Sequence, residues 1–147
     1  MVCAATAPGS ATTAVIVTFI LNVLWFILGG WLAGLSWLVA ALLLAVTLVG
    51  LPWSMAAERI GLFSFAPFGK RVVSRHEVTG REDLGGGSVG LVLNVVWFVL
   101  GGWYVALLHV LVGLVILPAI ITIPFSIQHF KLARLALAPV GTMVVDA

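Results

Sequence analysis

Charge is the scarcest property of this sequence. Only 8% of its 147 residues are Asp, Glu, Lys or Arg, against 63% hydrophobic residues, whereas soluble domains carry about 25% charged and about 45–50% apolar residues. So few charges cannot cover a water-facing surface, and lipid is the expected solvent for most of the chain. The excess of seven Lys and Arg over five acids is too small to draw nucleic acid, so no nucleic-acid partner is expected.

Cys3 is the sole cysteine, which excludes an intrachain disulfide and a thiolate metal cluster. The first fourteen residues, MVCAATAPGSATTA, contain no Lys or Arg and so lack the basic start of a secretory signal peptide. Residues 1–14 read as a disordered lead-in. Also missing are a carboxylate pair, a nucleophile beside a base, a glycine-rich phosphate loop and a metal-ligand cluster. Those absences argue against an enzyme, and no cofactor or metal is expected.

What the chain does contain is one unit written twice. Residues 21–31 read LNVLWFILGGW and residues 93–103 read LNVVWFVLGGW. An offset of 72 aligns Asn22 with Asn94, Trp25 with Trp97, the Gly29-Gly30 pair with Gly101-Gly102, Pro52 with Pro124, Ser54 with Ser126, Pro67 with Pro139 and Gly69 with Gly141, without a gap. The chain therefore divides into a first repeat at 15–73, a polar linker at 74–87 (SRHEVTGREDLGGG) and a second repeat at 88–147. The spacing exceeds that of most solenoid repeats and marks a tandem duplication.

Each repeat holds an uncharged run of about 44 residues, which as one helix would extend about 66 Å, twice the roughly 30 Å hydrocarbon thickness. Each run must turn back on itself. Crossings are expected near Ala14 to Ala33, Leu35 to Met55, Ser88 to Leu107 and Val110 to Phe130, with the first reversal between Gly29 and Ser36; a turn at the glycine pair itself leaves a short first helix. Arg59, Lys70, Arg71, Arg75 and Arg81 follow the first run and Lys131 and Arg134 the second, with none at either reversal. The positive-inside rule puts both basic segments on the cytoplasmic face, giving an even count, both termini inside and a symmetry axis along the membrane normal. Gln128, Lys131 and Arg134 fall at intervals of three on a helix end suited to the headgroups. Pro67-Gly69 and Pro139-Gly141 mark turns, and the Val-Val runs after them can pair as two small strands. The expected fold class is an all-α integral membrane protein: two tandem helical-hairpin repeats, about four transmembrane helices, and short interfacial or cytoplasmic segments after each repeat.

The motifs Asn22-x-x-Trp25 with Gly29-Gly30-Trp31, Leu51-Pro52-x-Ser54, Phe130-Lys131-Leu132-Ala133 and Pro67-x-Gly69-x-x-Val72-Val73, with their second-copy or first-copy counterparts, resemble the YccF family of bacterial inner membrane proteins. The resemblance covers nearly everything from Phe19 to Val145 and includes the doubling. It implies a small multi-pass protein of the bacterial inner membrane with no enzymatic activity. Two departures stand out: Ser54 and Ser126 replace the family's usual glycine, and Glu58-Arg59-Ile60-Gly61 replaces the Phe-Lys-Leu-Ala motif in the first copy.

Asn22 and Asn94 carry amides into an apolar helix, where each needs a partner; adhesion, to one another across the axis or to a freed backbone carbonyl, competes with contact to a ligand or ion. Pro52 and Pro124 are expected late in each second helix, releasing carbonyls near Leu48 and Ile120 to Thr47, Ser54, Thr122 and Ser126, or exposing them to a permeating solute as in broken transporter helices. The glycine pairs serve either close helix approach or a hairpin corner. Trp25, Trp31, Trp37, Trp97 and Trp103 suit an aromatic belt. His109, an ionisable side chain well inside the second run, is a candidate by default, with Trp37 as its counterpart; His129, at the cytoplasmic boundary, and His76 read as solvated. These residues support a structural or accessory subunit whose partners are the bilayer, further copies of itself or a larger membrane transport protein. The alternative is an oligomeric channel or transporter lined by Asn22, Asn94, Pro52, Pro124 and His109.

Overall fold

The structure, a computed structural model, describes residues 8–80 and 87–147. The uncharged run of the first repeat divides into three helices rather than two: α1 (Pro8–Trp25), α2 (Trp31–Val46) and α3 (Leu51–Phe65). A strand β1 (Lys70–Ser74) and a short helix α4 (Arg75–Thr79) follow. The second repeat gives α5 (Gly87–Trp97), α6 (Trp103–Ile116), a 3-10 turn at Ile120–Thr122, α7 (Ile123–Leu137) and β2 (Thr142–Asp146).

The breaks lie where backbone chemistry puts them. Between α1 and α2, Gly29 adopts φ 124°, ψ 1°, a conformation that favours glycine, so the glycine pair is a corner. The reversal itself comes later. After Val46 the Thr47 hydroxyl donates to the Leu44 carbonyl (2.7 Å) and accepts from the Gly50 amide (3.1 Å), while Leu48 turns the chain at φ 56°. The expected second crossings, Leu35 to Met55 and Val110 to Phe130, are thereby corrected: each contains a complete turn, and the packed antiparallel hairpins are α2–α3 and α6–α7. The prolines move with it. Pro52 and Pro124 lie in the first turn of α3 and α7, where a proline removes a donor that has no helical partner and its fixed φ suits the helix; they do not break a helix late in its course.

Helix α1 starts at Pro8, so residues 8–14 of the expected lead-in are helical, and the remainder, 1–7 with Cys3, lies outside the described residues. In the linker, Ser74 and Glu77 form a reciprocal capping box that starts α4, and Gly80 ends it at φ 63°, as such sequences do. Residues 81–86, with Arg81, lie outside the described residues.

Strands β1 and β2 pair antiparallel in the register Lys70↔Asp146, Val72↔Val144, Ser74↔Thr142, as the Val-Val runs suggested. Helices α3 and α7 are in contact. Phe125, at the start of α7, packs edge-on against Phe68, just past the end of α3, with centroids 5.7 Å apart. Trp53, at the start of α3, donates its indole N–H to the Leu93 carbonyl of α5 (3.1 Å). The core spans these two helices, from Ala57, Ile60 and Phe63 of α3 to Leu132, Leu135 and Ala136 of α7, with Trp25 and Phe68. The sheet is tied to it from both sides: Arg59 donates to the Thr142 carbonyl (3.4 Å) and its counterpart Lys131 to the Lys70 carbonyl (3.2 Å).

The outside is apolar. Two helical runs, Ala11–Val46 and Gly87–Ile116, are long and apolar enough to cross a membrane, and Val15, Phe19, Leu42, Leu43 and Val115 are exposed along them. So large a contiguous apolar surface belongs against lipid or another protein.

Candidate functional site

Each repeat builds the same polar lock around its turn. Asn22 of α1 donates from Nδ2 to the Phe68 carbonyl (3.2 Å) and accepts the Phe68 amide N–H at Oδ1 (3.0 Å). Asn94 of α5 does the same to Val140, at 3.0 Å each. A side-chain amide presents a donor and an acceptor side by side, so it satisfies both backbone groups of a residue in a turn, 46 positions away. Of the two adhesive readings, the bond to backbone is the one realised; the two asparagines meet their own repeats rather than each other. One turn on, the indole N–H of Trp25 donates to the Ser64 carbonyl (2.6 Å) and that of Trp97 to the Ala136 carbonyl (2.7 Å). Trp25 and Trp37 are therefore core residues and not members of a belt, whereas Trp31 and Trp103 remain exposed.

The hydroxyls are also engaged. Ser126 is fully buried and donates from α7 to the Gly113 carbonyl of α6 (2.6 Å). Its counterpart Ser54 is half-buried in the first turn of α3, its amide bonded to the Gly50 carbonyl (2.8 Å). Thr122 donates to the Ala119 carbonyl (2.7 Å) and is also bonded to the Ile116 carbonyl. The threonines do take up freed carbonyls, but those freed by the ends of α2 and α6, not by an internal proline.

One divergence between the repeats lies inside the helical packing. His109 of α6 and His129 of α7 face each other with their Nδ1 atoms 3.2 Å apart and rings 5.4 Å apart, both partly buried. The His129 ring also lies 5.1 Å from that of Trp25, so it is not the solvated residue its place beside Lys131 suggested. At the counterpart positions the first repeat has Trp37 and Ala57. The pair lies in a groove of about 390 Å³ between α2 and α6, lined among others by Ser36, Trp37, Trp97 and Val105. This groove brings His109 to His129 and to neither asparagine, proline nor Ser126. Two imidazoles in one apolar groove can share a proton or present a single hydrogen bond to a lipophilic guest. Among the described residues no group of three or more His, Cys, Asp or Glu is placed to hold a metal.

Gln128 was missed as well. The expected stripe with Lys131 and Arg134 put it in the headgroups, yet it is buried, and its Oε1 has no hydrogen-bond partner. A second, wider cavity of about 940 Å³ opens beside the sheet, where Arg59, Lys70 and Arg75 make its wall basic and Asp146 adds one carboxylate.

The inner membrane component domain, YccF, matches residues 20–70 and again 92–142, so each match covers one repeat. The chain is similar to proteins named Inner membrane protein YccF from Escherichia coli (strain K12) and from Shigella flexneri, at 36% identity over 129 residues in each case, covering 86% of this chain and 86% of theirs. No solved structure matches.

Proposed function

The chain belongs to the YccF family of inner membrane component proteins, and from that premise we propose that it serves as a structural or accessory subunit of a bacterial inner-membrane complex. The observation that supports this is how the polar groups are spent. Asn22, Asn94, Thr47, Thr122 and Ser126 are all bonded to backbone within their own repeats, which leaves the outer faces of α2 and α6 as apolar surfaces suited to a helix of a partner. A transport path lined by Asn22 and Asn94 would first have to dismantle the turns they hold. The sheet, with its basic neighbours, takes the cytoplasmic side. Gly87 at the start of α5 lines a cavity with Val72 and Ser74, so α5 begins at the level of the sheet; by the repeat α1 passes that level at Val15, the counterpart of Gly87, and both termini take the cytoplasmic side.

The test is twofold. Mild-detergent extracts from the native host should carry the protein in particles well above its 15.5 kDa, and purified protein in liposomes should give no more ion flux than empty vesicles. A monomer in the extract would count against the subunit reading. Flux that His109→Leu removes from a folded protein would establish the transport alternative, for which the histidine groove is the specific support.

A further inference from the structure

We infer that neither hairpin, α2–α3 nor α6–α7, crosses the bilayer: each dips into the cytoplasmic leaflet and returns, and the hairpin tips form a docking surface for the acyl chains of that leaflet. This replaces the four crossings expected from the sequence.

The strand pairing sets the parity. Because β1 and β2 share one sheet, Ser74 and Thr142 lie on the same side of the membrane. Apart from α4, whose 5 residues are far too few to cross, three helices, α5, α6 and α7, separate them, and three crossings would put them on opposite sides. Helix α5 is the one that stays: Asn94 and Trp97 bind it to Val140 and Ala136 at the end of α7, and Gly87 begins it beside the sheet. So α6 and α7 both cross or neither does.

Length decides against crossing. With 14 and 15 residues, α6 and α7 are about 21–22 Å long at 1.5 Å per residue, short of the roughly 30 Å hydrocarbon core. The part available is smaller still. Lys131 stands eight residues after Ile123 and Glu58 seven after Leu51, so the uncharged arms reach only about 10–12 Å beyond the first charge. Arg59 and Lys131 also hold the carbonyls of Thr142 and Lys70, so a tip pushed to the far headgroups would drag the sheet into hydrocarbon.

The tips are composed for lipid. Val49 is 80% exposed and Ile121 86%, and no charged residue lies between Thr47 and Ala57 or between Leu117 and Phe130. A loop in hydrocarbon must satisfy its own backbone. Here Thr47 bonds Leu44 and Gly50, Thr122 bonds Ala119 and Ile116, and the Leu51 and Ser54 amides bond Leu48 and Gly50 carbonyls. Pro52, Pro118 and Pro124 have no amide N–H to satisfy. Water at the far face would require none of this.

The test replaces Cys3 with Ser and introduces Val49→Cys, Ile121→Cys or, as a sheet-side control, Val78→Cys, each in the full chain. A membrane-impermeant maleimide should label neither tip in right-side-out spheroplasts nor in inverted vesicles, and both tips after detergent; Val78→Cys should label in inverted vesicles. A nitroxide on either tip cysteine should collide with lipid-soluble oxygen in preference to a water-soluble nickel chelate. Labelling of either tip in spheroplasts would show a complete crossing, and labelling in inverted vesicles a tip lying in cytoplasmic water; either result overturns the inference.

Discussion

Val72 and Val144 stand opposite each other across β1 and β2, and they are separated by 72 residues, the offset of the repeat. The symmetry axis of the molecule therefore passes through this one pair. The outer bonds fix its type: the Arg75 amide reaches the Gly141 carbonyl and the Ala147 amide the Gly69 carbonyl, both at 2.8 Å. Hydrogen-bonded pairs alternate with narrow pairs, so Val72 and Val144 form a narrow one.

A disulfide should follow from that spacing. Narrow pairs bring Cα atoms to about 4.5 Å, within the range a disulfide spans. Val72→Cys with Val144→Cys, in a Cys3→Ser background, should oxidise within one chain and shift its mobility on a non-reducing gel without forming a dimer. The pair Val73→Cys with Val145→Cys, one register step off, should oxidise more slowly.

Removing a turn lock should be costly. Asn94→Leu leaves the Val140 N–H and C=O without their partner, a loss of about 2–4 kcal/mol for two backbone groups. The melting temperature in detergent, read by circular dichroism, should fall clearly, and Asn94→Asp should fall less because it still accepts from the amide.

The two kinds of glycine should separate. Nothing lies within 4 Å of a Cβ added to Gly29, so Gly29→Ala meets only its φ of 124°, a backbone cost of about 1–3 kcal/mol. A Cβ at Gly34 would sit 2.8 Å from the Phe65 ring. Phe65→Leu should therefore restore much of the stability lost in Gly34→Ala and none of that lost in Gly29→Ala, as thermal melts of the singles and doubles would show.

The histidine pair can be rewritten in the language of the first repeat. His109→Trp alone crowds His129, and His129→Ala alone leaves His109 without its 3.2 Å neighbour. Together they reproduce Trp37 and Ala57. The double variant should be more stable than the sum of the singles requires, with a coupling of about 0.5–3 kcal/mol.

Much of this architecture could be read before any coordinates, because the repeat fixes equivalences and the lack of charge fixes the solvent. Asn22 was visibly an amide in need of a partner; that the partner is Phe68 depends on the chain returning across α1, which no local pattern encodes. The division into three helices was hidden because a run of about 44 apolar residues carries no charge to mark its turns, and the sharper of them uses Leu48 at positive φ where a glycine would have been the signal. Gln128 was misplaced by a stripe that slants. At 3.6 residues per turn, positions six apart differ by about 120° around the helix, so Gln128 reaches the core while Arg134 stays outside.

Reciprocity across β1 and β2 has an evolutionary reading. Residue 59 reaches for 142 and residue 131 for 70, so in these bonds each half gives the other what it receives. An interface of that kind is isologous, and the same surface that joins the halves here would have joined two separate single-repeat chains. Fusion lets each half change alone, and His109 with His129, set where the first repeat has Trp37 and Ala57, is one such change.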